Sequence, residues 1–287
     1  MHTFFRRIAG LIAFSLGGAA CSGLGTVTIT GNGQNKIEER QVGAFDAITV
    51  SDSLRAMVTV AANQPQSVQV SGDGNLVSLV RATVSGTELT LDMPPNTSFT
   101  TKLPLVVTVS TQALHALKAD SSAVAIASSV SGDDVTVESS NSSEVKVTSI
   151  TAAKSLTIAS DSSATLEATS ITAGGSVSLK TDRSGKLMTT GINATGSITV
   201  TADNNATATV SGTTPMLTAQ VDRSANLQAQ DLRAASVVIT TSSAASAQVC
   251  ATTSLNATLT TNSQVGYHCN PANVIQNVDQ TSMLTKQ

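Results

Sequence analysis

The 287-residue chain carries 16 Lys and Arg against 19 Asp and Glu, a formal net charge of −3, so it offers no basic field for nucleic acid. Charged residues make up 12% of the chain and aromatic residues 2%, while Ser, Thr, Ala and Val dominate. That composition is too apolar for a disordered tail, too poor in Leu for a helical bundle, and too poor in large side chains for a conventional globular core.

Residues 1–20 start with His2, Arg6 and Arg7, run through the apolar segment from Ile8 to Leu16, and end on Gly17-Gly18-Ala19-Ala20 before Cys21. A basic start, a short apolar middle and small residues at the exit predict a secretory signal peptide, and the apolar run is too short to span a bilayer. Gly18-Ala19-Ala20-Cys21 resembles the lipobox of bacterial lipoproteins, with Gly18 where that motif usually carries Leu. The resemblance implies lipidation at Cys21, and Ser22 after it implies the outer membrane; ordinary cleavage after Ala20 is the alternative. Losing Arg6 and Arg7 leaves 14 bases against 19 acids, a mature charge of 14 − 19 = −5. Three aromatic residues then remain: Phe45, Phe99 and Tyr267.

Residues 21–30 read as a linker, and a patterned segment follows. It holds Gly31-Asn32-Gly33, Glu38-Glu39-Arg40, Phe45-Asp46-Ala47-Ile48-Thr49-Val50, Val58-Thr59-Val60, Val68-Gln69-Val70, Gly72-Asp73-Gly74-Asn75-Leu76 and Leu89-Thr90-Leu91. These residues resemble the head GIN domain family, described as autotransporter adhesins: exported, often lipid-anchored bacterial proteins. The resemblance covers roughly residues 31 to 265 and is most specific from Gly31 to Leu91. It implies a single-stranded right-handed β-helix and brings no catalytic residues with it. In this segment Gly31 and Gly33 read as a turn, because no Lys-Ser/Thr follows to complete a phosphate loop. Glu38 and Arg40, on one face of an extended strand, are expected to pair with the next coil. Phe45 is expected to plug the N-terminal end of the core, since solenoids need caps.

Beyond residue 119 a polar pair recurs: Asp120/Ser122, Asn141/Ser143, Asp161/Ser163, Asp182/Ser184, Asp203/Asn205, Asp222/Ser224, Thr241/Ser243 and Asn262/Gln264. The steps are 21, 20, 21, 21, 19, 19 and 21 residues. Between the pairs, apolar residues alternate with polar ones, as in Val145-Lys146-Val147, Leu156-Thr157-Ile158 and Ile198-Thr199-Val200, the period of half-buried strands. Short strands at this repeat predict an all-β parallel β-helix of about 20 residues per coil, each strand pairing with its equivalent one coil away. Eight columns at about 4.8 Å per coil give a rod segment of about 34 Å.

Asp120, Asn141, Asp161, Asp182, Asp203 and Asp222 form the candidate site column. As turn residues they hydrogen-bond the backbone just ahead and their equivalents above and below. As a groove they would supply carboxylates to a cation or a glycan, although the repeat of calcium-binding solenoids is absent. Neighbouring carboxylates would repel by about 1 kcal/mol per pair in water, which Arg183 and Arg223 relieve in part. Neither His115 nor His268 sits in a motif that would prepare a nucleophile. No catalytic residue, metal site or cofactor is assigned.

Cys250 and Cys269, about one repeat apart, fall on neighbouring coils within the roughly 4.4–6.8 Å Cα window of a disulfide. A metal site from Cys250, His268 and Cys269 is the weaker alternative, lacking any close ligand spacing. Residues 31–269 therefore form the β-helix, and residues 270–287, broken at Pro271, a capping strand, short helix or tail. The expected function is that of an exported, non-catalytic, adhesin-like binding or presentation module. Its partner would be a surface glycan or an envelope protein, and its place the outer membrane or cell surface, or else the periplasm or medium. The alternatives are a polysaccharide-active enzyme using the aligned Asp residues, which lacks aromatic platforms for sugar rings, and a purely structural envelope element.

Overall fold

The computed structural model describes residues 27–287; the segment expected to be a signal peptide and the expected lipidation site Cys21 lie outside the described residues. The N-terminal third contains β1 (Val27–Thr30), β2 (Asn35–Arg40), β3 (Ala47–Val50), β4 (Arg55–Val60), β5 (Ser67–Asp73), the short helix α1 (Gly74–Val77), β6 (Arg81–Ser85), β7 (Glu88–Asp92), β8 (Thr97–Thr100) and β9 (Val106–Thr111). The repeats follow as β10 (Ala116–Ala119), β11 (Val124–Ser139), β12 (Glu144–Ser160), β13 (Thr165–Ala173), β14 (Ser176–Thr181), β15 (Lys186–Ala194), β16 (Ile198–Ala202), β17 (Thr207–Val221), β18 (Asn226–Thr241), β19 (Ser246–Leu259), β20 (Gln264–His268), β21 (Asn273–Val278) and β22 (Met283–Lys286).

The fold is a parallel β-solenoid of about 20 residues per coil. Successive coils pair in register, so one interior column runs Leu117, Val137, Ile158, Leu179, Val200, Ala219, Ile239, Ala257. A second runs Ala125, Val145, Leu166, Leu187, Ala208, Leu227, Ala247, Val265. Every one of these side chains is buried. Alternation at period two sends one apolar residue in for each polar residue out, and each coil refills the core its neighbour left open. Burying a Leu, Ile or Val contributes about 1.5–3 kcal/mol, enough for a narrow interior without Trp.

Winding is not sequential at the N-terminal end. β3 lies between β7 and β10, and β4 between β9 and β11, all in parallel. The coil written first in the sequence is thus the second in the stack, and residues 67–111 double back to build the layer outside it. β5 runs antiparallel to β9 and to β2, and β6 antiparallel to β7, which closes this end with hairpin-like edges. Beneath them Phe45, Leu76, Val77, Leu105 and Leu114 are buried, so Phe45 does help fill the end of the core.

Glu38 pairs along its own strand, with Arg40 Nη1 at 2.6 Å and with Lys36, rather than with a neighbouring coil. Arg40 also caps the short helix. Its Nη2 donates to the carbonyl of Val77 at 2.6 Å, where the end of α1 leaves carbonyls without helical partners. Residues beyond Pro271 continue the solenoid: β21 pairs with β19 and β22 with β20, both in parallel.

Candidate functional site

The recurring polar pair marks one corner of every coil. There the chain makes a four-residue turn whose two central residues have positive φ: Ser121 and Ser122, Ser162 and Ser163, Arg183 and Ser184, Asn204 and Asn205, Arg223 and Ser224. The turn closes from the fourth N–H to the first carbonyl, as in Ala123 N to Asp120 O at 3.1 Å and Ala206 N to Asp203 O at 3.1 Å. Left-handed backbone is costly for residues with a Cβ, so something must hold it. Stacking does so: Ser122 N donates to Asn141 O, Ser163 N to Arg183 O, Ser184 N to Asn204 O and Asn205 N to Arg223 O, each at 2.9–3.0 Å and each from one coil to the next.

Asp120, Asp161, Asp182, Asp203 and Asp222 all occupy the first position of their turns. Asn141 does not. Ser140 opens that turn, with Ser143 N donating to Ser140 O, and Asn141 sits one place further on. Its amide Nδ2 nevertheless donates to Asp120 Oδ1 at 2.6 Å. Thr241 and Asn262 are out of phase in other ways: Thr241 lies just before the turn that opens at Ser242, closed by Ala245 N to Ser242 O, and Asn262 is the second of two positive-φ residues, after Thr261.

Each carboxylate of the column is engaged. Asp182 Oδ1 accepts from the Arg183 backbone N–H at 2.7 Å and from Asn204 Nδ2 at 2.7 Å. Asp203 accepts from the Asn204 N–H at 2.7 Å and from Arg223 Nε at 2.8 Å. Asp161 accepts from the Ser162 N–H at 2.6 Å and from the Arg183 guanidinium. Asp222 accepts from the Arg223 N–H at 2.7 Å and from Ser242 Oγ at 2.6 Å. The donor from the next coil is thus the second residue of its turn at Asn141, Arg183, Asn204 and Arg223, and the first at Ser140 and Ser242. Arg183 and Arg223 neutralise the Asp of the preceding coil rather than the Asp beside them in sequence.

These contacts fix the charge state. The amide of Asn204, with the Arg183 N–H and the two arginine charges, holds Asp182 below the usual carboxylate range against a smaller opposing effect of burial. Ser242 does the same for Asp222. At Asp120 burial is the largest single effect and pushes upward, but hydrogen bonds from Asn141 and Ser140 outweigh it and the net displacement is downward. A glycosidase general acid needs its pKa raised, so that it carries a proton at working pH; these three move the other way.

A shallow groove of about 330 Å³ flanks the column, bordered by Asp161, Asp182, Asp203, Lys180, Thr181 and Thr201. A larger one, about 530 Å³, lies near the N-terminal end over the small side chains Ala47 and Ala116, between Glu88 and Asp134, with His115 and Lys118 at its side. His115 Nδ1 stands 3.5 Å from Asp46 Oδ1. Among the described residues no group of three or more His, Cys, Asp or Glu is arranged to hold a metal ion, and no helix is long and apolar enough to cross a membrane. Cys250 and Cys269 are joined in a disulfide with a Cα separation of 5.2 Å, which excludes them as metal ligands with His268.

The family model described as "Putative auto-transporter adhesin, head GIN domain" matches residues 44–173 and again 156–271. The chain belongs to this family. The same fold appears among solved structures: "a putative adhesin" from Parabacteroides merdae ATCC 43184 is 17% identical, covers 91% of this chain and 99% of its own, and has a TM-score of 0.65. "Putative adhesin" from Parabacteroides distasonis ATCC 8503 is 19% identical over 91% and 100% of the two chains, with a TM-score of 0.62. "Putative lipid binding protein" from the same organism is 17% identical over the same shares, with a TM-score of 0.61. At these identities the likeness is one of fold. No curated protein matches the chain.

Proposed function

We propose that this head GIN domain protein is an exported, non-catalytic binding or presentation module of the cell envelope, held at the membrane by lipid on Cys21. The observation that carries the reading is the outward face beside the turn corner. There Thr136, Thr157, Ser178, Thr199 and Thr218 are register partners on five successive coils, one hydroxyl per strand spacing of about 4.8 Å. Such a ladder presents the same weak donor and acceptor many times in line, which suits multivalent contact with a polymer or a patterned surface. The saturated carboxylates beside it support a scaffolding role for the Asp column. The mature charge of −5 favours a surface glycan or an envelope protein over nucleic acid as partner.

Glycan-array binding tests the reading. Retained signal on surface polysaccharides, lost when Thr157, Ser178 and Thr199 are together replaced by Lys, is the expected result. Release of reducing or unsaturated ends from a polysaccharide panel would instead establish an enzyme and overturn it. In cells, incorporation of labelled fatty acid that disappears in Cys21→Ala tests the anchor.

A further inference from the structure

The two ends of the rod are built differently. At the N-terminal end the outermost strands carry charge: Lys36, Glu38, Glu39 and Arg40 on β2, and Arg81 on β6. Charged residues on edge strands are a common block against edge-to-edge pairing. At the C-terminal end two strands are outermost: β22, which pairs with β20 and carries Lys286, and β21, Asn273-Val274-Ile275-Gln276-Asn277-Val278, which has no charge, no Pro and no bulge in its pairing with β19. Val274 continues the interior column of Val237 and Leu255, which are 0% and 1% exposed, yet it is 39% exposed itself because no coil among the described residues lies over it. Ile275, on the outer face, is 66% exposed. The disulfide from Cys250 to Cys269 lies just before this last coil and ties its entry to the coil beneath.

We infer that β21 pairs antiparallel with β21 of a second copy, joining two solenoids end to end about a two-fold axis. Among the registers that keep interior facing interior, pairing symmetric about Gln276 is the one that sets both valines of each strand against valines. It sets Val274 opposite Val278 of the second copy, Val278 opposite its Val274, and Gln276 opposite its own equivalent. The uncovered apolar column is then continued by the second molecule's column. The two Gln276 amides, each with a donor and an acceptor, satisfy one another on the axis. A one-residue slip would place Val274 against Asn277 and turn one interior face outward. The absence of charge on β21 means that self-pairing brings no like charges together, whereas β2 would bring several. An isologous junction closes at two copies, so the product is a dimer and not a fibre. One six-residue strand pair is a small interface, and the dimer is correspondingly weak, forming in the micromolar range.

β1 and β2 lie at the far end from β21, so two chains anchored ahead of Val27 on facing membranes would meet tip to tip. That consequence rests on the anchoring proposed above; the dimer does not, and it is tested apart from any membrane.

Sedimentation velocity of the full chain over about 1–500 µM should show conversion to a species of twice the mass. Gln276→Lys, which places two ammonium groups on the axis, should abolish the dimer with the melting temperature of the dilute monomer unchanged, because Gln276 is exposed in the single chain. Ile37→Lys, on the opposite edge, should leave the dimer intact. A chain that stays monomeric throughout this range overturns the inference. So does a dimer that survives Gln276→Lys, or a ladder of higher oligomers, which would mean head-to-tail addition.

Discussion

Asn204 reaches back across one coil and donates its Nδ2 to Asp182 Oδ1 at 2.7 Å, while the backbone N–H of Arg183 donates to the same oxygen. A turn residue that looks like a catalytic acid in the sequence is thereby engaged in holding two left-handed corners together. Replacing Asp182 by Ala should lower stability by about 1–2 kcal/mol, since it strands an amide and a backbone donor at a corner. Urea unfolding would measure this. Ligand binding lost at unchanged stability would instead place Asp182 in a binding site.

Acid should destabilise the rod from the corners. Asp120, Asp182 and Asp222 have folded pKa values below their usual range, and Asp279, which accepts from the Thr261 N–H and from Ser282 and Thr281, is lowered to about 2. With depressed folded values, the unfolded chain binds more protons over the interval between the two states' pKa values. The stabilisation is therefore complete above the unfolded value of about 3.9 and is lost as pH falls toward about 2. Melting temperature should be level between about pH 5 and 7 and drop steeply below about pH 4. Asp279→Asn should flatten the lowest part of that drop.

Reduction should loosen the C-terminal coils first. Closing a loop of the size between Cys250 and Cys269 stabilises by about 3 kcal/mol in the chain-entropy view. Cys250→Ala should therefore raise hydrogen exchange in β20, β21 and β22 well above that in β12 to β16. Uniform exchange along the rod would show that the bridge does not hold the end.

Two glycines separate steric from conformational cost. A Cβ on Gly212, at φ +132°, would lie 2.0 Å from Ile192 O, so Gly212→Ala must force adjacent coils apart at a cost of about 2–4 kcal/mol. A Cβ on Gly191, at φ +67°, meets nothing closer than 3.7 Å, and Gly191→Ala should cost only about 1 kcal/mol. Thermal denaturation of the two variants checks the ranking.

The solenoid was legible because period two inside a 20-residue repeat leaves a chain few ways to bury Val, Ile and Leu. Leu156-Thr157-Ile158 states both its faces without help from any other residue. The column of Asp120, Asp161, Asp182, Asp203 and Asp222 was legible for the same reason, since residues at equal phase of a coil must stack. Asn141 was misplaced by one because its neighbours Ser140 and Ser142 are both competent turn residues, and only the hydrogen bond from Ser143 N to Ser140 O fixes the frame.

Local pattern, then, determined the strands, the coil length and the polar corner, all of which follow from side chains alternating along a single stretch of backbone. The tertiary structure alone decided that β3 is enclosed between β7 and β10, that Glu38 turns to Arg40 on its own strand, and that Val274 is left uncovered. These depend on which distant segment arrives beside which, and that choice is made by loop paths and end effects that carry no period to read.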